Sequence, residues 1–232
     1  MKPKLLLCLL LVLGGGWFAN NCPAAIIYPK APEGGREMVI QLANSLVGKN
    51  LPLFKGISTT NDLTVAAPCE GYSVGLTNMA AGQLLSAAYT SHFSWQYLIL
   101  HGTNIVGWAF VRADVKTGRA LKCYQIGEPL KGISEALRIA EQLPEVKKQD
   151  YEMRYLSMPW ILFYAVWLHA KSDDIIIPLP DHWSRWSAGR PYSEAEMIKI
   201  LKPVAEKQLK VKMMPGMVGS RTPNSSSASL SS

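Results

Sequence analysis

Phe93-Ser94-Trp95-Gln96-Tyr97-Leu98-Ile99 carries an aromatic or β-branched residue at every second position. That alternation sets Phe93, Trp95, Tyr97 and Ile99 on one face of a strand. Gly102-Thr103-Asn104 supplies a turn, and Ile105 to Ala113 reads as a second strand. Lys116-Thr117-Gly118 turns the chain again into a third strand, Ala120 to Ile126. Three strands joined by short polar turns make an antiparallel meander.

Toward the C-terminus, Pro129 closes the meander and a helix is predicted from Lys131 to Leu143, burying Ile133, Ala136, Leu137 and Ala140. Tyr151 to Met158 alternates again. Pro159 to Leu168 is apolar throughout, which suits a strand covered on both faces or a buried helix; Trp160, Ile161, Phe163, Tyr164, Val166 and Trp167 favour the strand. Asp174 to Pro178 reads as a last short strand. Ser193-Glu194-Ala195-Glu196 is a capping box opening a helix to about Lys210, kinked or split at Pro203.

Toward the N-terminus, a small-residue helix is predicted from Met79 to Tyr89, a strand over Tyr72 to Leu76, and a helix from Arg36 to Val47. Lys49 to Glu70, with Pro52, Gly56 and Pro68, reads as loop with a short strand near Thr64 to Ala67. The expected fold is α+β: an antiparallel meander sheet packed against amphipathic helices, in a single main domain over residues 36–214. Residues 26–35 read as a linker. Residues 215–232 hold seven serines among eighteen residues and little to bury, which predicts disorder.

The first 25 residues have the parts of a secretory signal peptide: Lys2 and Lys4, the apolar run Leu5 to Leu13, then small residues. Leu5 to Ala19 is short of the roughly 20 apolar residues that cross a bilayer, so a cleaved signal is favoured over an uncleaved anchor. Gly14 and Gly16, or Cys22 and Ala24, satisfy the small-residue pattern before a cut. The expected location is therefore secreted or periplasmic, with a membrane-anchored chain as the alternative. The net charge of +7 falls by two on losing Lys2 and Lys4, an excess too small and too dispersed to point to nucleic acid. Cleavage after Ala24 or Ala25 removes Cys8 and Cys22 and leaves Cys69 and Cys123, an even pair that an oxidising compartment would let bridge.

Catalytic motifs are scarce. The sequence has no glycine-rich phosphate loop, His-Glu-x-x-His, Gly-x-Ser-x-Gly or Cys-x-x-Cys. No cofactor is implied, and the four histidines lack metal-ligand spacing; His169, Asp173 and His182 are the one conceivable zinc set. Cys69, with His92, His101 or His169 as base, is the enzyme alternative, and Asp173 and Asp174 the candidate acid–base pair. The most suggestive surface is the segment 181–192. Its His182, Trp183, Arg185, Trp186, Arg190 and Tyr192 join aromatic faces to guanidinium forks suited to sugars, carboxylates or a partner protein. Lys199, Lys202, Lys207 and Lys210 line one side of the last helix and suit weak contact with an anionic membrane. The expected function is a non-catalytic binding module for a protein or cell-envelope ligand. An envelope hydrolase using Cys69 or the His/Asp cluster, and a structural assembly module, are the alternatives.

Overall fold

The computed structural model describes residues 25–47, 49, 52–57, 59–181 and 185–213. The leader and the serine-rich tail of the sequence reading lie outside the described residues.

The meander forms where the alternation put it: β3 (Tyr89–His101), β4 (Asn104–Ala113) and β5 (Ala120–Gly127) pair antiparallel in order. The sheet as a whole is mixed, which corrects the purely antiparallel expectation. Its order is β5-β4-β3-β2-β6-β7-β8, with β1 also on β6. The strands completing it are β1 (Ile26–Ile27), β2 (Leu63–Ser73), β6 (Tyr151–Met158), β7 (Phe163–His169) and β8 (Ile175–Pro178). One edge of β6 takes two parallel partners in tandem: β1 at Tyr151 and Glu152, β2 from Arg154 to Ser157. Ile26 and Ile27 are thus strand, not linker.

Strand β2 runs eleven residues and joins the short strand expected near Thr64 to Ala67 to the start of the one expected from Tyr72, across a stretch read as loop. Ala67, at φ 50°, and Pro68 interrupt its pairing with β3 by a bulge between Ala66 and Cys69. A bulge disposes of a proline that has no N–H for the ladder, and it breaks the period-two pattern.

Four helices cover the sheet. On one face, α1 (Gly35–Leu46) sets Val39 and Ala43 against Tyr97, Ile99, Ala109 and Val111. Register places Trp95, Glu70 and Arg154 on that same face, which α2 (Leu76–Ala80) and α4 (Glu194–Met213) cover further along. There Met79, Met197, Leu201 and Ala205 pack on Leu156, Phe163, Ala165, Trp167 and Ile176. On the opposite face α3 (Ile133–Gln142) buries Ile133, Ala136 and Ala140 against Tyr155, Val166, Leu168 and Ile177. Helix α2 is five residues long, stopped by Gly82 at φ 80°, so the helix expected to Tyr89 is cut short. Helix α4 continues through Pro203 as one element, capped as expected: Ser193 N–H donates to Glu196 Oε2 at 2.9 Å.

Gly35 is required by close approach. A Cβ there would overlap Tyr97 Oη, a buried hydroxyl with no hydrogen-bond partner among the described residues. A buried, unsatisfied hydroxyl costs about 1–3 kcal/mol. Tyr97→Phe is therefore expected to raise stability by about 1 kcal/mol, and Gly35→Ala to lower it by about 1–3 kcal/mol. Thermal melts of the two variants check both signs.

Candidate functional site

The segment expected to bind a ligand is mostly a structural strap. Trp186 is buried: its indole N–H donates to Leu179 O at 2.8 Å, and its ring meets Phe163 edge-on with centroids 5.0 Å apart. Tyr192 is buried as well. Its backbone exchanges two 2.9 Å hydrogen bonds with Ile176 and its hydroxyl accepts Ser187 N–H at 3.2 Å, closing the β8 edge. Neither ring is presented to a ligand, because each found its polar partner in the backbone beside it. Arg190 lies 4.7 Å over the Tyr192 ring and pairs with Glu196 at 3.3 Å, both side chains exposed. His182 and Trp183 lie outside the described residues.

Arg185 does something different. Its Nε donates to Asp181 Oδ2 at 2.7 Å, and the Asp181 side chain is 1% exposed. A second guanidinium nitrogen donates to Ile161 O. Arg185 thereby ties the strap to the β6–β7 turn.

The histidine and aspartate cluster comes together only in part. His169 Nδ1 lies 2.8 Å from Asp174 Oδ1, which also accepts Ala170 N–H at 3.2 Å. That is the base-and-orienter half of a catalytic triad. Among the described residues no hydroxyl or thiol hydrogen-bonds to the imidazole, and no group of three or more His, Cys, Asp and Glu gathers to hold a metal. Asp173 is exposed; His101 is exposed at the far end of β3; the His92 side chain is outside the described residues. Beside this pair, Arg154 lies 4.8 Å from the centroids of both Tyr72 and Trp167 and donates to Glu152 at 2.7 Å, while Tyr72 donates to Glu70 at 2.9 Å. Nothing in sequence spacing announced that stack, because its members come from three different strands.

Cys69 and Cys123 are free thiols, so the expected disulfide is corrected. Cys69 is on β2 and Cys123 on β5, with β3 and β4 between them. Three strand spacings are about 14 Å, against the roughly 7 Å limit for a bridge. Cys69 is fully buried, and burial pushes its thiol up to about 12. A nucleophile needs the thiolate, so this position opposes the cysteine-enzyme reading. The cavity beside Cys69, about 20 Å³ and lined by Leu98, Trp108 and Tyr155, has room for about one water.

Among the described residues two grooves are open: a polar one of about 760 Å³ where Asp173 and Asp174 meet Arg190, Tyr192 and Glu194, and a more apolar one between the β6–β7 turn and α4. Pro159–Ile161 forms one turn of 3₁₀ helix, and Ile161 drives into the core. Burying Ile161 turns its two neighbours outward: Trp160 is 60% exposed and Leu162 44%. Leu162 sits at φ 52°, ψ 38°, with its N–H on Pro159 O at 3.2 Å. For a leucine that left-handed conformation costs about 1–2 kcal/mol, which glycine would not incur. From α4 the groove takes Val204, Lys207, Gln208 and Val211, and its volume is about 580 Å³. Val211 is 47% exposed. Lys207, one of the four lysines read from the sequence as one side of this helix, is exposed and lines it.

Compared with family models, curated proteins and solved structures, the chain matches none of them.

In the chain lacking residues 1–24, one thiol, Cys123, is expected to react with a disulfide reagent in the native state. Cys69 is expected to react only after denaturation. Because the native Cys69 value is raised, its contribution is complete below the ordinary thiol value near 9. It is then lost as pH climbs toward about 12, by about 1.4 kcal/mol per unit. Thiol titration with and without denaturant, and denaturant melts at rising pH, check the two statements.

Proposed function

We propose that the protein is an exported, non-catalytic binding module of the cell envelope or extracellular space, and that its contact face is the groove between the 159–162 turn and α4. Leu162 carries the reading. A leucine 44% exposed and held at positive φ is strained, and the burial of its neighbour Ile161 holds it there. Such outliers cluster at active sites, ligand clamps and switch regions. Trp160 and Val211 extend the same apolar surface, and Lys207 and Arg185 line it with positive charge. The ligand that fits is an anionic amphiphile, an apolar chain with a negative head, of the kind envelope lipids present. No helix among the described residues is long and apolar enough to cross a membrane.

The hydrolase alternative retains one observation in its favour, the 2.8 Å His169–Asp174 pair. Covalent labelling by a fluorophosphonate that disappears in His169→Ala would select it over the binding module.

Anilinonaphthalene sulfonate, a small anionic amphiphile, is the probe for the groove. The protein is expected to bind about one equivalent, and Leu162→Gly with Val211→Asp to weaken that binding at least about tenfold. Leu162→Gly alone is expected to melt at the same temperature or higher, since glycine relieves the turn. Probe binding untouched by the double substitution would remove the groove from the account.

A further inference from the structure

We propose that the sheet face around Arg154 binds a free α-amino acid by its zwitterion, the carboxylate on Arg154 and the ammonium on Glu70 and Glu152. The site shares no residue with the groove beside α4 and does not depend on it.

Strand register sets the frame. Arg154 lies opposite Glu70 on β2 and opposite Trp167 on β7, so the three share one face, with neighbouring strands about 4.8 Å apart. Glu152 and Tyr72 fall on the same face, each two residues along its strand. The guanidinium is fixed from several sides. Its carbon lies 4.8 Å from the centroids of the Tyr72 and Trp167 rings, and its Nε donates to Glu152 Oε1 at 2.7 Å. The Arg154 side chain is 16% exposed. A planar fork held in this way loses little freedom on meeting a ligand.

The polar atoms left over are the ones a ligand meets. Among the described residues, neither terminal nitrogen of Arg154 has a hydrogen-bond partner. Glu70 accepts the Tyr72 hydroxyl through Oε2 at 2.9 Å, which leaves Oε1; Glu152 engages Arg154 through Oε1, which leaves Oε2. None of these four atoms is sealed from solvent. The buried, unpartnered side-chain atoms among the described residues are Tyr97 Oη and Trp167 Nε1.

Charge selects the ligand. Arg154 carries one positive charge, and Glu70 and Glu152 carry two negative ones. The neighbouring His169 and Asp174 hold each other at 2.8 Å. A plain carboxylate offered to Arg154 meets two like charges in a half-buried setting, where screening is weak, and a plain amine meets the guanidinium. An α-amino acid carries both signs on one carbon. Its carboxylate takes the two terminal nitrogens of Arg154, and its ammonium donates to the spare glutamate oxygens. Binding of this kind forms charge-assisted hydrogen bonds and breaks no covalent bond.

Thermal shift of the purified protein with each of the twenty L-amino acids, followed by titration calorimetry of the most stabilising one, tests the site. One equivalent is expected to bind. Its deaminated acid and its decarboxylated amine are each expected to bind at least about tenfold more weakly, because each leaves one arm of the site unpaired. Arg154→Lys, which keeps the charge and loses the fork, is expected to weaken the amino acid at least about tenfold. Glu70→Gln is expected to weaken the amino acid and the amine while sparing the acid. Absence of binding by all twenty overturns the proposal, as does an acid or an amine that binds as tightly as the amino acid. Equal weakening of all three ligands by Glu70→Gln overturns the role of that glutamate.

Discussion

Strand β6 is paired on both edges, and the rest of the molecule depends on that. On one edge it carries β1 and then β2, both parallel; on the other it carries β7, antiparallel. Its side chains divide between the layers: Leu156 and Met158 enter the core beneath α2 and α4, while Met153 and Tyr155 enter the core beneath α3. The four-residue pairing of Glu70–Ser73 with Arg154–Ser157 joins the meander half to the β7–β8–α4 half. Parallel neighbours need a long crossover, which here contains the meander and α3.

The turn that ends β6 follows from the same constraint. Once Met158 pairs with Phe163, four residues must reverse the chain, and burying Ile161 fixes their orientation. Trp160 and Leu162 are then directed outward, and Leu162 takes the left-handed position. Arg185 clamps the turn from the strap through Ile161 O while Asp181 neutralises it. The groove is consequently built on rigid elements, the hairpin end and α4, which favours a preformed binding surface over one assembled on contact.

Local chemistry was legible and long-range pairing was not. The alternation at Trp95, Tyr97 and Ile99 located the meander, and Ser193 with Glu196 located the start of α4, because each pattern is read within a few residues. Strand β2 was legible only as two short pieces, because Ala67 and Pro68 form a bulge that destroys its period. The parallel join to β6 escaped because no local pattern encodes which strand lies alongside. The 181–192 segment shows why residue types alone mislead. A tryptophan and a tyrosine serve equally well against a ligand or as satellite core, and Leu179 O and Ile176 decided for core. Among the described residues of that set, Arg185 borders the candidate groove. Leu162 and Val211 drew no notice, since exposure and a positive φ are invisible in composition.

The central claim is that the two halves are one cooperative unit welded at β2 and β6, with the groove at its rigid end. Native-state hydrogen exchange resolved by residue measures this most directly. The account predicts that hydrogen-bonded amides of 70–73 and 154–157 exchange only through global unfolding, with the same free energy as the core of β3 and β4. Opening of β6–β8 and α4 while the meander stays protected would contradict it, showing two separate units where the account requires one.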